Sequence, residues 1–364
     1  MPQAPLAGGR ILRHSGTAIG TRWQVAMAVP AATQAAFWRG RVAEVVTQQV
    51  GQVCDRFSHW QPDSWVSQFG RLGEGQALPL DAALGDVLSM CGWVHEASGG
   101  AYHPGLGPLM ALWGYGPCAR PPAWPAPGEV GACMPAPLRR DDWQALSKPG
   151  ARLPRRGGLT LDLSGIAKGY LVDVLWMALV QEWGPHVMVE VGGEARGGGV
   201  RPDGQPWWVD LERVDGTPAR VALHGVAVAS SGRSQTRAAL RSPSGQPFER
   251  HHTLDPRTGW PVRHGTQLVT VLHASAMAAD AWATALHVLP PGQAMQLAKA
   301  QGLAARIVGR GPMSGLDGLD ELEAGLRDGK ADGTEDGHRA QGRQGSQDHA
   351  AWTLHSPAWQ QGLD

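Results

Sequence analysis

Four strand-like runs decide the fold class of this chain: LTLDLSG (159–165), HVMVEVGG (186–193), WWVDLE (207–212) and GVAVASSG (225–232). Their β-branched and aromatic residues, with glycine nearby, are typical of β-strands. Helical segments separate the runs less regularly than repeated βαβ units would require. The pattern therefore predicts an α+β fold with mixed sheets rather than a doubly wound parallel sheet.

The segments on either side of these runs indicate a hairpin and three helices. The hairpin is predicted at residues 11–29, around Gly16 and Gly20, and the helices at residues 31–53, 82–98 and 276–289. Pro290 and Pro291 are expected to end the last helix, because proline interrupts helical hydrogen bonding. The Pro- and Gly-rich segment 117–137 is expected to be irregular.

Composition excludes several classes of protein. Lys plus Arg and Asp plus Glu both total 32 in 364 residues, so the formal charge is zero and nothing indicates nucleic-acid binding. No apolar run reaches membrane-spanning length. The four cysteines (Cys54, Cys91, Cys118 and Cys133) are far apart and form no C-x-x-C pair, which favours isolated thiols over a disulfide or metal framework.

The domain organisation follows from changes in composition. Residues 1–10 are predicted to be a tail without the apolar core of a signal peptide or a lipobox cysteine, so a cytoplasmic location is expected. Residues 11–310 form the main domain, and the polar residues 311–349 are predicted to be a low-complexity mobile loop. Residues 350–364 are expected to return as a closing strand and a C-terminal tail.

LDLSGIAKGYLVDVL (161–175) is the first stretch with candidate chemistry. It is predicted to end a strand at Ser164 and Gly165 and to place Lys168 in the first turns of a helix, where amide groups and a cation suit a phosphate. Asp162, just before the turn, would accept hydrogen bonds from a ligand. Such junctions also occur as ordinary architecture.

SAMAADAWATALHVL (275–289) is the second such stretch. Ser275 is a suitable N-cap, and Asp280 and Thr284 are four residues apart, so a carboxylate and a hydroxyl project from one helix face. Mg²⁺ prefers oxygen ligands and usually retains water or phosphate in its remaining positions. The alternative is a surface aspartate beside a threonine that bonds to its own helix.

Two further stretches have weaker signals. HHTLDPRTGWPV (251–262) indicates a tight turn at Asp255-Pro256 and Thr258-Gly259, which His252 and Arg257 flank. YHPGLGPLMALWGYG (102–116) contains Trp113, which would either stack on a flat aromatic ligand or belong to the core.

The order of these motifs resembles the FAD:protein FMN transferase family, also called the ApbE-like flavin transferases. The resemblance begins at GTAIGTRW (16–23) and WQPDSWVSQF (60–69), continues through the four stretches above, VEVGGEARGGG (189–199) and SSG (230–232), and ends at SPAW (356–359). It implies a T-fold-like α+β core with FAD in a cleft between two lobes. It also implies Mg²⁺ beside the pyrophosphate and transfer of FMN to a Thr or Ser hydroxyl of an acceptor flavoprotein, with release of AMP.

The resemblance also implies roles for individual residues. The metal ligands would be Asp280, Thr284 and the backbone carbonyl of Gly165. FAD would contact Ile19, Trp60, Ala111, Leu112, Trp113, Asp162, Lys168, His252 and Thr253. His252 is the first candidate for the general base that activates the acceptor hydroxyl, and Asp162 is the second.

The chain departs from the family pattern at two positions in the cleft and at its N-terminus. His103 stands where the family often has Asp, and Arg233-Ser234 follow Ser231-Gly232 where Asp or Asn and then Tyr or Phe are usual. Many members are exported and lipid-anchored, so the resemblance also allows a periplasmic location.

Two other functions fit the same motifs, namely a Mg²⁺-dependent FAD pyrophosphatase that yields FMN and AMP, and an FAD-binding protein without turnover.

Overall fold

The computed structural model describes residues 4–117, 124–138, 143, 146, 148–214, 216, 218–233, 238–241, 247–310 and 351–361. The predicted loop at 311–349, Cys118 and Ser234 lie outside these residues. Among the described helices, none is long and apolar enough to cross a membrane.

The described strands are β1 (Gly9–Ala18), β2 (Thr21–Pro30), β3 (Ala77–Pro79), β4 (Arg152–Pro154), β5 (Val187–Val191), β6 (Glu194–Gly197), β7 (Trp207–Asp210), β8 (Arg220–Leu223), β9 (Val226–Gly232), β10 (Ala238–Arg241), β11 (Pro247–Arg250), β12 (Thr266–His273), β13 (Ala304–Arg310) and β14 (Ala351–His355). The described helices are α1 (Ala35–Phe57), α2 (Trp65–Gly70), α3 (Ala82–Ala97), α4 (Gly107–Leu112), α5 (Pro127–Ala132), α6 (Ala167–Trp183), α7 (Ala276–Val288), α8 (Pro291–Ala300) and α9 (Pro357–Gln361).

The main sheet has eight strands in the order β1-β2-β5-β6-β9-β12-β13-β14. Every pair of neighbours in it is antiparallel, and so are the pairs β3–β4, β7–β8 and β10–β11. An antiparallel sheet with packed helices confirms the predicted α+β class. The prediction of mixed sheets is not confirmed, because every pair of neighbouring described strands is antiparallel.

Both faces of the sheet are covered. The larger core includes the fully buried Met27, Trp38 and Trp282, and it joins the sheet to α1, α6 and α7. A smaller cluster with Trp207, Leu223 and Trp359 covers other sheet residues. Because α7 packs against β9, β12 and α6, its residues are fixed relative to three elements at once.

The predicted strand at 159–165 is wrong, because this segment belongs to no strand. Its backbone pairs with a loop instead: Asp162 N donates to Pro104 O (2.7 Å) and Gly107 N to Thr160 O (3.3 Å). Leu161 and Leu163 are buried, so the apolar alternation reflects burial without a sheet partner. The β-pattern records which side chains face the core and does not by itself identify a hydrogen-bonded neighbour.

The end of the last predicted helix is correct, but another helix follows it at once. α7 ends at Val288, and α8 begins at Pro291. Proline fits the first turn of a helix because its missing N–H would have no intrahelical partner there. The second proline therefore starts a helix rather than only ending one. The segment 117–137 likewise contains the short helix α5, which begins at Pro127.

Candidate functional site

A cavity of about 560 Å³ opens where α6, α7, the end of β9 and several loops meet. The loop residues that line it lie around 101–106, 162–165, 192–193, 211–212 and 252–254, and β7 adds Val209 and Asp210. The cavity brings together seven of the residues predicted from the sequence: Asp162, Gly165, Lys168, His252, Thr253, Asp280 and Thr284. These residues span more than a hundred positions, so their meeting is a property of the fold.

Three of them line the same part of the cavity and carry oxygen atoms. Asp280 and Thr284 lie one turn apart on α7, which Ser275 caps by accepting from Ala278 N. A Cβ built at Gly165 would lie 2.9 Å from Thr284 Oγ1, so the Gly165 backbone is beside that hydroxyl. Thr284 Oγ1 also pairs with Ser231 Oγ at 3.2 Å. A carboxylate, a hydroxyl and a carbonyl form a donor set that suits a hard cation such as Mg²⁺.

A purely side-chain metal site is not found. Within the part of the chain that the structure describes, no group of three His, Cys, Asp or Glu side chains has the spacing to hold a metal ion. A cation at Asp280 would therefore depend on the Thr284 hydroxyl, the Gly165 carbonyl and oxygen atoms of water or substrate. Such an incomplete protein set is usual for Mg²⁺ that binds phosphates.

The backbone of α6 fixes Asp280. Gly169 N donates to Asp280 Oδ2 at 3.0 Å. Burial raises the pKa of the Asp280 carboxyl, while Lys168 and the Gly169 amide oppose this change. A positive charge at the site would therefore stabilise the carboxylate form.

Lys168 lies beside a second carboxylate that the sequence did not single out. Its Nζ donates to Glu194 Oε1. Burial opposes the charge on Lys168, yet Glu194 and Asp280 outweigh that effect and raise the lysine pKa. Burial and the nearby Asp280 raise the pKa of the Glu194 carboxyl, and Lys168 opposes this change.

His252 and Asp162 lie on the cavity wall with Lys168. Burial lowers the His252 pKa, Lys168 lowers it further, and Asp162 acts in the opposite direction. The imidazole is therefore neutral near pH 7, the form that accepts a proton. Asp162 Oδ1 accepts from Ser164 N at 2.9 Å, which orients the carboxylate at the turn before α6.

Buried histidines support Thr253 from behind. Thr253 Oγ1 pairs with His287 Nδ1 at 3.1 Å, and the His287 ring lies 6.5 Å from that of His251 and 6.4 Å from that of His264. Burial lowers the pKa of His251 and His264 to about 4 and that of His287 well below its usual value. Sequence reasoning missed His287, Glu194 and Ser231, because no local pattern marks their contacts with distant residues.

Five predicted contact residues do not line this cavity. Ile19 lies in the β1–β2 turn and has a φ of +47°. The strand after this turn is joined to the cavity wall, because Gly192 N donates to Arg22 O. Trp60 is 67% exposed beyond α1. Ala111 and Leu112 belong to α4. Trp113 is buried, and its indole N–H donates to Gly259 O at 2.8 Å. Its contact with a flat ligand remains a prediction.

The two departures from the family pattern have different surroundings. His103 lines the cavity; its Nδ1 accepts from Gly105 N at 2.9 Å, and its Nε2 pairs with Ala136 O. Arg233 donates through Nη2 to Val262 O (3.1 Å) and His264 O (2.6 Å) and is not part of the cavity wall. His103 therefore changes the cavity surface, whereas Arg233 ties two loops together.

Comparison with known proteins identifies sequence relatives over most of the chain. The model of the ApbE family matches residues 19–307. The FAD:protein FMN transferase of Klebsiella pneumoniae (strain 342) is 28% identical over 314 residues, which cover 84% of this chain and 86% of that protein. That of Vibrio cholerae serotype O1 is 32% identical over 265 residues, or 71% of this chain and 76% of that protein.

Solved structures agree with these matches. The flavinyl transferase ApbE of Pseudomonas stutzeri, in its apo form, superposes with a TM-score of 0.74 and 25% identity, covering 98% of this chain and 99% of that one. The flavin transferase ApbE of Vibrio cholerae also gives a TM-score of 0.74, at 22% identity, which supports the shared fold.

Proposed function

The chain belongs to the ApbE family, and we propose that it is an FAD:protein FMN transferase. The proposed reaction joins the FMN phosphorus of FAD to a Thr or Ser oxygen of an acceptor flavoprotein. It breaks the pyrophosphate bond, and AMP leaves with the bridging oxygen. The observation that supports it best is the convergence on one cavity of the residues predicted to bind phosphate, to bind the metal and to act as the base.

We propose a T-fold-like core with FAD in a cleft between two lobes. The cavity walls support this arrangement, because residues of the main sheet and α7 form one side and the loop around residues 101–106 forms another. In this arrangement Lys168 and the amides at the start of α6 bind the pyrophosphate, since a helix N-terminus and a cation both favour negative charge.

Asp280, Thr284 and the Gly165 carbonyl would hold Mg²⁺. The bound ion would neutralise pyrophosphate oxygens and stabilise the AMP leaving group. The oxygen-only donor set and the burial of Asp280 support this assignment. Gly169 N donates to Asp280 Oδ2, which would leave Oδ1 for the ion.

His252 is proposed to accept the proton of the acceptor hydroxyl. Its lowered pKa keeps the imidazole neutral, so the base adds no positive charge beside Lys168 before it takes up the proton. The proton then passes to AMP or solvent, which balances the transfer. Asp162 is the second candidate for this role, because it lies on the same wall and interacts with His252.

The test is incubation of the purified chain with FAD, Mg²⁺ and a folded flavoprotein domain that offers a Thr hydroxyl. Flavin that stays on the denatured acceptor, together with equimolar AMP, supports transfer. Free FMN and AMP without labelled acceptor would indicate a pyrophosphatase. Intact FAD with every acceptor tried, despite tight binding, would indicate an FAD-binding protein and contradict the proposal.

A further inference from the structure

An ion pair between a partly exposed lysine and a buried glutamate lies at the cavity wall. Glu194, the first residue of β6, is 1% exposed, and its Oε1 accepts from Lys168 Nζ. Lys168 lines the cavity, whereas Glu194 does not. The carboxylate is therefore placed to act on a bound molecule through the lysine rather than by touching it.

The second oxygen of Glu194 is unusual. Oε2 is buried without a hydrogen-bond partner in the described structure, and a methyl group added at Gly192 would lie 3.4 Å from it. A buried carboxylate with an unsatisfied oxygen is costly, and an apolar pair of similar size would stabilise a core at least as well. Stability alone is thus a poor explanation for this pair.

The charges around Lys168 offer a better explanation. The lysine interacts with two carboxylates, Glu194 on β6 and Asp280 on α7. Asp280 is also the candidate metal ligand. If Lys168 paired with Asp280 alone, its ammonium would compete with the cation for that carboxylate and would turn away from the pyrophosphate.

We propose that Glu194 is a positioning residue, which holds the Lys168 ammonium at the cavity wall for the FAD pyrophosphate and keeps it from pairing with Asp280. This inference rests on the proposed function. It assigns to Glu194 an effect on FAD affinity that exists only while Lys168 is present.

Glu194→Gln tests the inference because glutamine keeps the size and an acceptor oxygen but loses the charge. We expect FAD affinity in the presence of Mg²⁺ to fall about tenfold, since the hydrogen bond that orients Lys168 loses the charge on its acceptor. We also expect half-saturation by Mg²⁺ to need a higher concentration, because Lys168 then turns to Asp280.

A double-mutant cycle gives the decisive measurement. FAD binding is followed by flavin fluorescence for the wild type, Glu194→Gln, Lys168→Met and the double variant, each with its thermal unfolding midpoint. We expect Lys168→Met to weaken binding about tenfold or more and the double variant to match it within about twofold, because contacts that act through one another are non-additive. Equal weakening by Glu194→Gln in both backgrounds would overturn the inference.

Arg196→Gln is the matched control, because Arg196 and Asp173 form an ion pair between the same two elements, β6 and α6, away from the cavity wall. We expect it to lower the unfolding midpoint while FAD affinity stays within about twofold of the wild type. If Glu194→Gln behaves in the same way, its role is structural and the inference is wrong.

If Glu194→Gln does not fold, the double variant compared with Lys168→Met decides alone. A wild-type chain that binds no FAD would instead contradict the proposed function.

Discussion

Gly169 and Asp280 join α6 to α7 at the wall of the cavity. Gly169 N donates to Asp280 Oδ2 at 3.0 Å, and a Cβ built at Gly169 would lie 2.8 Å from Asp280 Cβ and would overlap the carbonyl oxygen of Ala276. The backbones of the two helices therefore meet at Gly169 and Ala276, about one turn before the residue proposed to bind the metal. Any side chain at position 169 must separate them.

Gly169→Ala is expected to lower both stability and activity. The added methyl meets the backbone of α7, so the helices must shift, at a cost of about 1–3 kcal/mol in the free energy of unfolding. The same shift displaces Asp280 and raises the Mg²⁺ concentration needed for AMP release. Gly40→Ala is the control: it lies in α1 with nothing within 4 Å, and we expect it to be neutral or to stabilise slightly. Equal unfolding midpoints for the two variants would contradict the close contact.

Asp280→Asn is expected to separate stability from function. The amide oxygen still accepts from Gly169 N, and the buried carboxylate, whose pKa burial raises, is removed, so the unfolding midpoint should not fall. Mg²⁺-dependent AMP release should drop at least about 100-fold, because several kcal/mol of charge stabilisation are lost with the metal. Thr284→Ser, which keeps the hydroxyl, is the milder comparison. Activity of Asp280→Asn near the wild-type value would remove Asp280 from the metal site.

Acid is expected to destabilise the fold through the buried histidines behind Thr253. Burial lowers the pKa of His251 and His264 to about 4, and unfolding returns both to ordinary values. The unfolded chain therefore binds more protons between about pH 6.5 and about pH 4, and stability falls as the pH decreases through that window. Each histidine that stays neutral in the fold contributes a loss of about 2 kcal/mol at about pH 5.

Urea unfolding near neutral pH and near pH 5 measures this loss. His287→Leu removes one fully buried imidazole, so we expect its stability to depend less on pH than that of the wild type. Its Thr253 hydroxyl also loses a partner, which should lower stability near neutral pH by about 1 kcal/mol. An unchanged pH dependence in His287→Leu would show that this ring does not contribute.

Local signals predicted one part of the site and not the rest. Ser275, Asp280 and Thr284 lie on one helix, so capping and the i, i+4 spacing are enough to place them together. Glu194 and Lys168 meet only because β6 and α6 pack together, and no periodicity encodes that contact. The segment 159–165 illustrates the reverse error: its burial alternates as in a strand, while its backbone pairs with a loop. Burial patterns are local, whereas hydrogen-bond partners depend on the whole fold.

His252→Ala is expected to slow transfer strongly while FAD binding persists. A general base contributes about 10²–10⁴-fold, so the rate of acceptor flavinylation should fall by that factor with the Kd for FAD changed only slightly. The wild-type rate should remain high down to below about pH 6.5 and then decline, because burial and Lys168 lower the His252 pKa. The variant should lose that inflection.

Asp162→Asn, measured in parallel, tests the second candidate: if it removes the inflection and His252→Ala does not, Asp162 is the base. Since the two side chains share one wall and interact, only the loss of the inflection, and not the loss of rate alone, distinguishes the base from the residue that orients it.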